Sequence, residues 1–137
     1  LLAWTTTPWT LMGNVALAVG KKTTYVNGRQ PGTDGIFLIA RESKFAKGMI
    51  TNHEWEGKDL IGLEYEPLFD IYTKDKKLKN RENGWKVYGA PFVTVESGTG
   101  IVHIAPAFGA DDYDLSLKHN LPFIQHVGTN GKFKSEV

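Results

Sequence analysis

The stretch from Gly98 to Tyr113 reads Gly-Thr-Gly-Ile-Val-His-Ile-Ala-Pro-Ala-Phe-Gly-Ala-Asp-Asp-Tyr, and it predicts a turn, a strand and a helix start in succession. Its first two glycines permit a tight turn, and they would also let a ligand approach the backbone closely. The apolar run Ile101–Ile104 predicts a buried strand. Because aspartate is preferred at helix starts, Asp111 and Asp112 predict a helix cap, followed by a short helix over residues 112–119.

A second informative stretch lies near the beginning, where residues 4–11 read Trp-Thr-Thr-Thr-Pro-Trp-Thr-Leu. Residues 1–5 predict a short buried strand that Pro8 ends, because proline lacks the backbone donor that a central strand needs. Side chains alternate along a strand, so Thr5 and Thr7 would share one face and Thr6 would lie opposite. The hydroxyls suit a ribose, a carbonyl or an ordered water. Taken alone, however, the string is better explained by the strand propensity of threonine.

The remaining chain contains many short apolar runs separated by turn signals. Strands are predicted over residues 15–19, 36–40, 60–69, 85–95 and 121–127, a helix over residues 42–50, and a polar stretch with turns at Asn27-Gly28 and Pro31-Gly32 over residues 21–35. Strands do not alternate regularly with helices, which predicts a β-rich α+β fold, either a mixed sheet or a distorted β-barrel. We expect residues 1–137 to form a single domain, excised from a larger chain.

The composition excludes several classes of function. The chain has 137 residues, no cysteine and a formal net charge of +1. It therefore has no disulfide, thiolate metal site or cysteine nucleophile, and we expect a cytoplasmic protein. The small net charge argues against a salt-driven grip on a long nucleic acid. No apolar run reaches the ~20 residues of a membrane span, so no membrane partner is expected. The scattered histidines His53, His119 and His126 lack ligand spacing, which predicts neither a metal nor a cofactor.

One segment departs from this balance of charge. Five cationic residues crowd into eight positions: Lys74, Lys76, Lys77, Lys79 and Arg81. A solvated loop or hairpin tip is the favoured interpretation of such a run. Contact with an RNA backbone is the alternative.

Three polar residues of the first stretch are candidates for chemistry. A lone histidine in an apolar strand, such as His103, is more often a core side chain than a ligand or base. Strand alternation would place it on one face with Ile101 and Ala105, where it could narrow a pocket. A helix cap needs only one carboxylate, so the second aspartate could bind a cation such as an ammonium group. The sequence contains no nucleophile elbow. These polar residues therefore favour a hydrolytic or binding pocket that uses positioned water.

Together the two stretches resemble the editing (CP1) domain of class I aminoacyl-tRNA synthetases for branched aliphatic amino acids. Thr-Thr-Thr-Pro at residues 5–8 is similar to the family's threonine-rich strand end. The turn, apolar strand, proline and aspartate of the first stretch are similar to its second signature. The Trp-Thr-Thr-Thr-Pro-Trp and Gly-Ile-Val-His forms resemble isoleucyl members, whereas valyl and leucyl members typically carry Thr-Thr-Arg-Pro.

The resemblance implies hydrolysis of valine wrongly esterified to the 3′ terminal adenosine of tRNA(Ile). One methylene is worth only ~1–3 kcal/mol in a pocket, the isoleucine–valine pair being the standard example, so a second site must remove valine. A non-catalytic module that binds the aminoacylated 3′ end is the alternative. The synthetic signatures His-Ile-Gly-His and Lys-Met-Ser-Lys-Ser are missing from this sequence. The resemblance further implies the remainder of a synthetase as partner. We expect no stable oligomer and no cofactor in this domain.

The resemblance also assigns roles to individual residues. Asp112 would hold the α-ammonium group of the substrate, and His103 would line the side-chain pocket and help to exclude isoleucine. Asp111 would cap the helix or support the site. The catalytic set is Thr5, Thr6, Thr7 and Asp112, and the substrate-binding set is His103, Asp111, Gly98, Thr99, Gly100 and Phe108. The threonines would contact the adenosine, the ester carbonyl or the attacking water, and the turn would lie near the terminal nucleotide.

Overall fold

The computed structural model describes residues 1–136 and contains short strands, two α-helices and three 3₁₀ turns. The strands are β1 (Ala16–Val19), β2 (Thr24–Arg29), β3 (Ile36–Ala40), β4 (Ile50–Glu56), β5 (Lys86–Gly89) and β6 (Ile101–Ile104). The helices are α1 (Gly57–Leu60) and α2 (Ala110–His119), and the 3₁₀ turns span Pro8–Gly13, Lys44–Ala46 and Arg81–Asn83. None of the helices that residues 1–136 form is long and apolar enough to cross a membrane.

The strands form two three-stranded sheets, with the orders β5-β1-β6 and β3-β2-β4. In the second sheet, β2 pairs antiparallel with both neighbours, with Val26 opposite Ile39 and Tyr25 opposite Trp55. This confirms the predicted α+β class with a few short helices. Within the described residues the sheets do not close into a barrel, so the mixed-sheet form of the prediction applies.

The strand predicted over residues 15–19 is confirmed by β1, the central strand of its sheet. All four of its residues are buried, as expected for a continuous apolar run in the middle of a sheet. The predicted strands over residues 36–40 and 101–104 are likewise confirmed by β3 and β6.

The residues cluster into two compact units. The first comprises residues 1–6, 17–63 and 87–103, and its fully buried side chains include Tyr25, Ile39 and Ile101. The second comprises residues 7–16, 64–86 and 104 onward, and Val15, Ile104 and His126 are buried in it. Each unit therefore has its own buried core.

The predicted buried strand over residues 1–5 is wrong. Residues 1–4 are exposed, and only Trp4 forms a β-bridge, to Val102. An apolar run of this length carries no information about whether a sheet covers it, which is why burial was overestimated.

The polar stretch over residues 21–35 contains a strand that the sequence did not predict. Asn27-Gly28 lies inside β2, at a shift in the β2–β4 register, instead of forming a turn. A Cβ atom on Gly28 would lie 2.3 Å from the Ile50 carbonyl oxygen, so this glycine permits a close backbone approach. The turn at Pro31-Gly32 is confirmed, and Gly32 has φ +83°.

Three further predictions are wrong. The helix over residues 42–50 is only the short Lys44–Ala46 turn, after which Gly48 adopts φ +82° and β4 begins at Ile50. Residues 60–69 and 121–127 form isolated bridges instead of strands: Glu64 to Lys86 and Val127 to Phe133. Apolar spacing was present in all three segments, but it did not lead to a continuous α-helix in the first or to a continuous strand in the other two.

The boundaries of two correctly predicted elements also shift. Only residues 86–89 of the predicted strand over residues 85–95 are strand. Helix α2 begins at Ala110, and its N-cap is Gly109, so neither Asp111 nor Asp112 is the cap. Both aspartates lie in the first turn, where a negative charge is favoured by the helix dipole. The predicted end at Asn120 is confirmed by its left-handed conformation.

Candidate functional site

The two sequence stretches meet in the first unit. The Trp4 N–H donates to the Ile101 carbonyl oxygen at 3.0 Å, and Trp4 forms a parallel bridge with Val102 of β6. Thr5 and His103 are each the next residue after the bridged pair. The first residues of the threonine stretch therefore run alongside β6, although almost a hundred residues separate them in the sequence.

The indole of Trp4 covers the turn that precedes β6. A Cβ atom on Gly98 would lie 2.9 Å from this ring, so the position requires a glycine. The Trp4 ring also packs against Phe45, with 5.1 Å between the ring centroids. Packing within the first unit therefore accounts for the presence of Trp4, one of the two tryptophans of the threonine stretch.

The turn Gly98–Gly100 is buried and held by hydrogen bonds. Its three carbonyl groups accept, in order, from Ser43 Oγ (2.6 Å), the Ala40 N–H (2.8 Å) and the Tyr25 hydroxyl (2.6 Å). Gly100 has φ +75°, which a side chain would disfavour. These bonds fix where β6 begins. The predicted contact of Gly98, Thr99 and Gly100 with substrate stays a prediction.

His103 is buried in β6, with 8% of its surface exposed. Because burial penalises the charged imidazolium, the pKa of His103 falls to about 4. The ring is therefore neutral near pH 7. The side chain is therefore bulky and uncharged, and it is neither a cation nor a ready proton donor.

The three threonines differ in their surroundings. Thr5 is half-buried and Thr6 is exposed, and both belong to the first unit. Thr7 belongs to the second unit and directly precedes the Pro8–Gly13 turn. Its carbonyl oxygen accepts from the Thr10 hydroxyl at 2.8 Å. Thr7 therefore anchors this turn, and the catalytic roles predicted for all three threonines stay predictions.

Asp112 lies in the second unit and is half-buried at the start of α2. Its Oδ2 atom accepts from the Ala105 N–H at 2.7 Å, which ties the helix to the end of β6. Burial raises the pKa of Asp112, the Ala105 bond opposes that rise, and the nearby charge of Asp111 adds to it. A Cβ atom on Gly109 would lie 3.1 Å from Asp112 Cγ, so glycine leaves room for the carboxyl group. Asp111 itself is exposed.

Phe108 belongs to an aromatic cluster of the second unit. Its ring centroid lies 5.2 Å from Trp9 and 4.7 Å from His126. His126 is fully buried, and its Nε2 lies 3.0 Å from the Trp9 carbonyl oxygen. No local sequence pattern indicates that His126 is buried here, because its partner lies 117 positions away. Substrate contact by Phe108 stays a prediction.

Histidine and carboxylate side chains of residues 1–136 do not gather in groups of three or more that could hold a metal ion. Supporting residues that sequence reasoning missed are Tyr25 and Ser43, which bind the turn from distant segments.

Comparisons with known proteins give consistent results, although no protein-family model matches the chain. The chain is 44% identical over 137 residues to the isoleucine–tRNA ligase of Clostridium acetobutylicum, an alignment that covers 100% of this chain and 13% of the relative. It is 38% identical over 143 residues to that of Chlamydia trachomatis serovar D, with the same coverage. The chain thus spans about an eighth of the length of these curated relatives. The crystal structure of GlLeuRS-CP1 is 19% identical, with a TM-score of 0.64 over 85% of this chain and 43% of that one, which shows a shared fold.

Proposed function

This chain belongs to the isoleucine–tRNA ligase family, in which it matches one segment of a much longer protein, and from that premise we propose that it edits mischarged tRNA. The proposed reaction is hydrolysis of valyl-tRNA(Ile). Water adds to the ester carbonyl, the ester bond breaks, and the ribose oxygen leaves as a hydroxyl while valine is released. An aminoacyl ester is already activated, so the reaction needs no protein nucleophile.

The pairing of Trp4 with Val102 carries the proposal. It makes neighbours of the two stretches that resemble the signatures of an editing domain. Chance similarity of two short motifs would not require them to lie side by side in the fold. The shared fold with GlLeuRS-CP1 supports the same assignment independently.

Asp112 is the proposed ligand of the substrate's α-ammonium group. The Ala105 N–H fixes its carboxyl group at the start of α2, so little side-chain freedom remains to be lost on binding. An ammonium group would also favour the ionised carboxylate, and would thus oppose the effect of burial on the pKa of Asp112.

His103 is the proposed limit on side-chain size. Its ring is fixed in β6 and is neutral. It therefore adds bulk, and an apolar valine side chain beside it would not displace water from a charged group. Thr5, Thr6 and Thr7 are proposed to orient the attacking water and the ester. A smaller residue at position 103 should therefore allow hydrolysis of isoleucyl-tRNA(Ile), which the wild-type chain should spare.

The decisive test is the rate of ester loss from valyl-tRNA(Ile) with wild type and Asp112→Asn. Asparagine retains an oxygen to accept from the Ala105 N–H and removes only the negative charge. Loss of a charge-assisted hydrogen bond of about 1.5–3 kcal/mol corresponds to a rate lower by about 10- to 150-fold. Asp114→Asn is the matched control, because Asp114 is exposed on the same helix.

Full activity of Asp112→Asn would refute the role of this carboxylate. A wild-type chain that binds valyl-tRNA(Ile) but leaves the ester intact, both alone and within a full-length ligase, would refute hydrolysis. That outcome would instead support the alternative, a module that only binds the aminoacylated 3′ end.

A further inference from the structure

The positive charge of this protein is concentrated in the segment of residues 74–81, here called the basic loop. It carries five cations and one carboxylate, a net charge of +4. Since the formal net charge of the whole chain is +1, the other 129 residues carry a net −3. A polyanion approaching the chain is therefore attracted to the basic loop and repelled, on average, by the rest.

The basic loop is folded by a series of hydrogen-bonded turns. The Leu78 N–H donates to the Asp75 carbonyl oxygen at 3.2 Å, and the Asp75 N–H donates to Tyr72 at 3.2 Å. Arg81 donates from its guanidinium group to the Thr73 carbonyl oxygen at 2.9 Å, which ties the end of the loop to the residue that directly precedes it. The lysines are thus presented by an ordered backbone, and less conformational entropy is lost on binding than with a flexible tail.

Three lysines of the basic loop remain available to a partner. Lys76, Lys77 and Lys79 are exposed, and none of them takes part in an ion pair among the described residues. Two nearby carboxylates are already engaged. Asp70 pairs with Lys74, and Asp75 Oδ1 accepts from the Lys77 backbone N–H at 2.8 Å.

We propose that Lys76, Lys77 and Lys79 bind backbone phosphates of the RNA that carries the aminoacyl ester. The inference rests on the proposed function, which supplies an RNA as substrate. Three lysines spaced over four positions can each neutralise one phosphate of a continuous strand. Lysine suits this task because its ammonium group contacts phosphate as a point charge without requiring a fixed geometry.

Counterion release provides the test, because each phosphate contact steepens the dependence of affinity on salt. We compare binding of uncharged tRNA(Ile) to the wild-type chain and to the triple variant Lys76→Gln, Lys77→Gln, Lys79→Gln at 50 and 200 mM salt. Three lost contacts lower the slope by about 2.1 for a single strand and by about 2.7 for a duplex, so the wild-type affinity should fall about 20- to 40-fold more than that of the variant over this range.

The matched control removes the same charge elsewhere, through the exchanges Lys118→Gln, Lys132→Gln and Lys134→Gln. These three lysines are exposed and lie outside the basic loop. The control should keep the wild-type salt slope. An unchanged slope in the loop variant, or an equal loss in the control, would overturn the proposal.

A second measurement separates this proposal from the proposed function. The loop variant should raise the KM for valyl-tRNA(Ile) about tenfold or more and leave hydrolysis of valyl-adenosine unchanged, because valyl-adenosine lacks the RNA strand. An equal loss with both substrates would overturn the loop assignment. If neither the wild-type chain nor a full-length ligase that contains it hydrolyses either substrate, the proposed function fails. The salt dependence of tRNA binding still decides whether the basic loop binds RNA.

Discussion

Burial of His103 should make the stability of this chain fall steeply in mild acid. The pKa of this ring is about 4 in the folded chain, against 6.5 for an exposed histidine. The unfolded chain therefore binds a proton at pH values where the folded chain does not. The contribution of His103 is fully present above pH 6.5 and is lost as the pH falls from there towards 4.

The magnitude follows from the two pKa values. Each pH unit between them costs about 1.4 kcal/mol of unfolding free energy, because one proton distinguishes the two states. Integrated from pH 7 to pH 4, the loss is about 3 kcal/mol. Typical domains have only about 5–15 kcal/mol in total.

Urea unfolding at pH 7, 6, 5 and 4, followed by tryptophan fluorescence, measures this loss in the wild type and in His103→Gln. Glutamine cannot be protonated, so the variant should lose about 3 kcal/mol less than the wild type between pH 7 and pH 4. All other titrating groups cancel in this difference. His53→Gln is the control, since His53 is exposed on β4, and it should follow the wild type.

A difference below about 1 kcal/mol between wild type and His103→Gln would refute the reasoning, since it would correspond to a pKa close to that of an exposed ring. Nuclear magnetic resonance titration of the His103 ring offers a direct check. A midpoint near 6.5 would contradict the burial that lowers the pKa of His103.

Three further perturbations test the architecture around the motifs. Gly100→Ala should lower the unfolding free energy by more than Gly32→Ala in urea unfolding, because both have positive φ but only Gly100 would bring its Cβ within 2.4 Å of Ala40; equal losses would show that the turn has room for a side chain. Tyr25→Phe should cost about 1–3 kcal/mol by the same measurement, because it leaves the buried Gly100 carbonyl without its 2.6 Å donor, and a neutral effect would mean that water replaces the hydroxyl. Burial raises the pKa of Asp112, so its contribution is present at pH values below the unfolded pKa of 3.8 and is lost as the pH rises through the folded value. The free energy of unfolding of Asp112→Asn, relative to that of the wild type, should therefore increase as the pH rises from 3.5 to 7. A difference that stays constant or decreases over this range would contradict the raised pKa of Asp112.

Local patterns predicted three of the strands and the end of helix α2. The apolar runs of β1, β3 and β6 lie where expected, and the left-handed Asn120 ends α2 as predicted. These features depend on residues a few positions apart, so periodicity and cap chemistry are sufficient. The same reasoning failed for residues 42–50, where Gly48 adopts a positive φ that an α-helix does not allow, and for residues 121–127, where only the bridge between Val127 and Phe133 forms.

Local sequence patterns were sufficient to predict strand β6, the glycine turn before it and the resemblance to an editing domain. Three features could be seen only in the folded chain. Trp4 pairs with Val102, and Asp112 accepts from the Ala105 N–H instead of capping α2. The ring of His103 is buried, which lowers its pKa and keeps it neutral. The difference lies in the separation along the sequence over which each interaction acts. Propensity and turn chemistry act between neighbours in the sequence, whereas burial and the pKa shifts it causes depend on which distant segments meet.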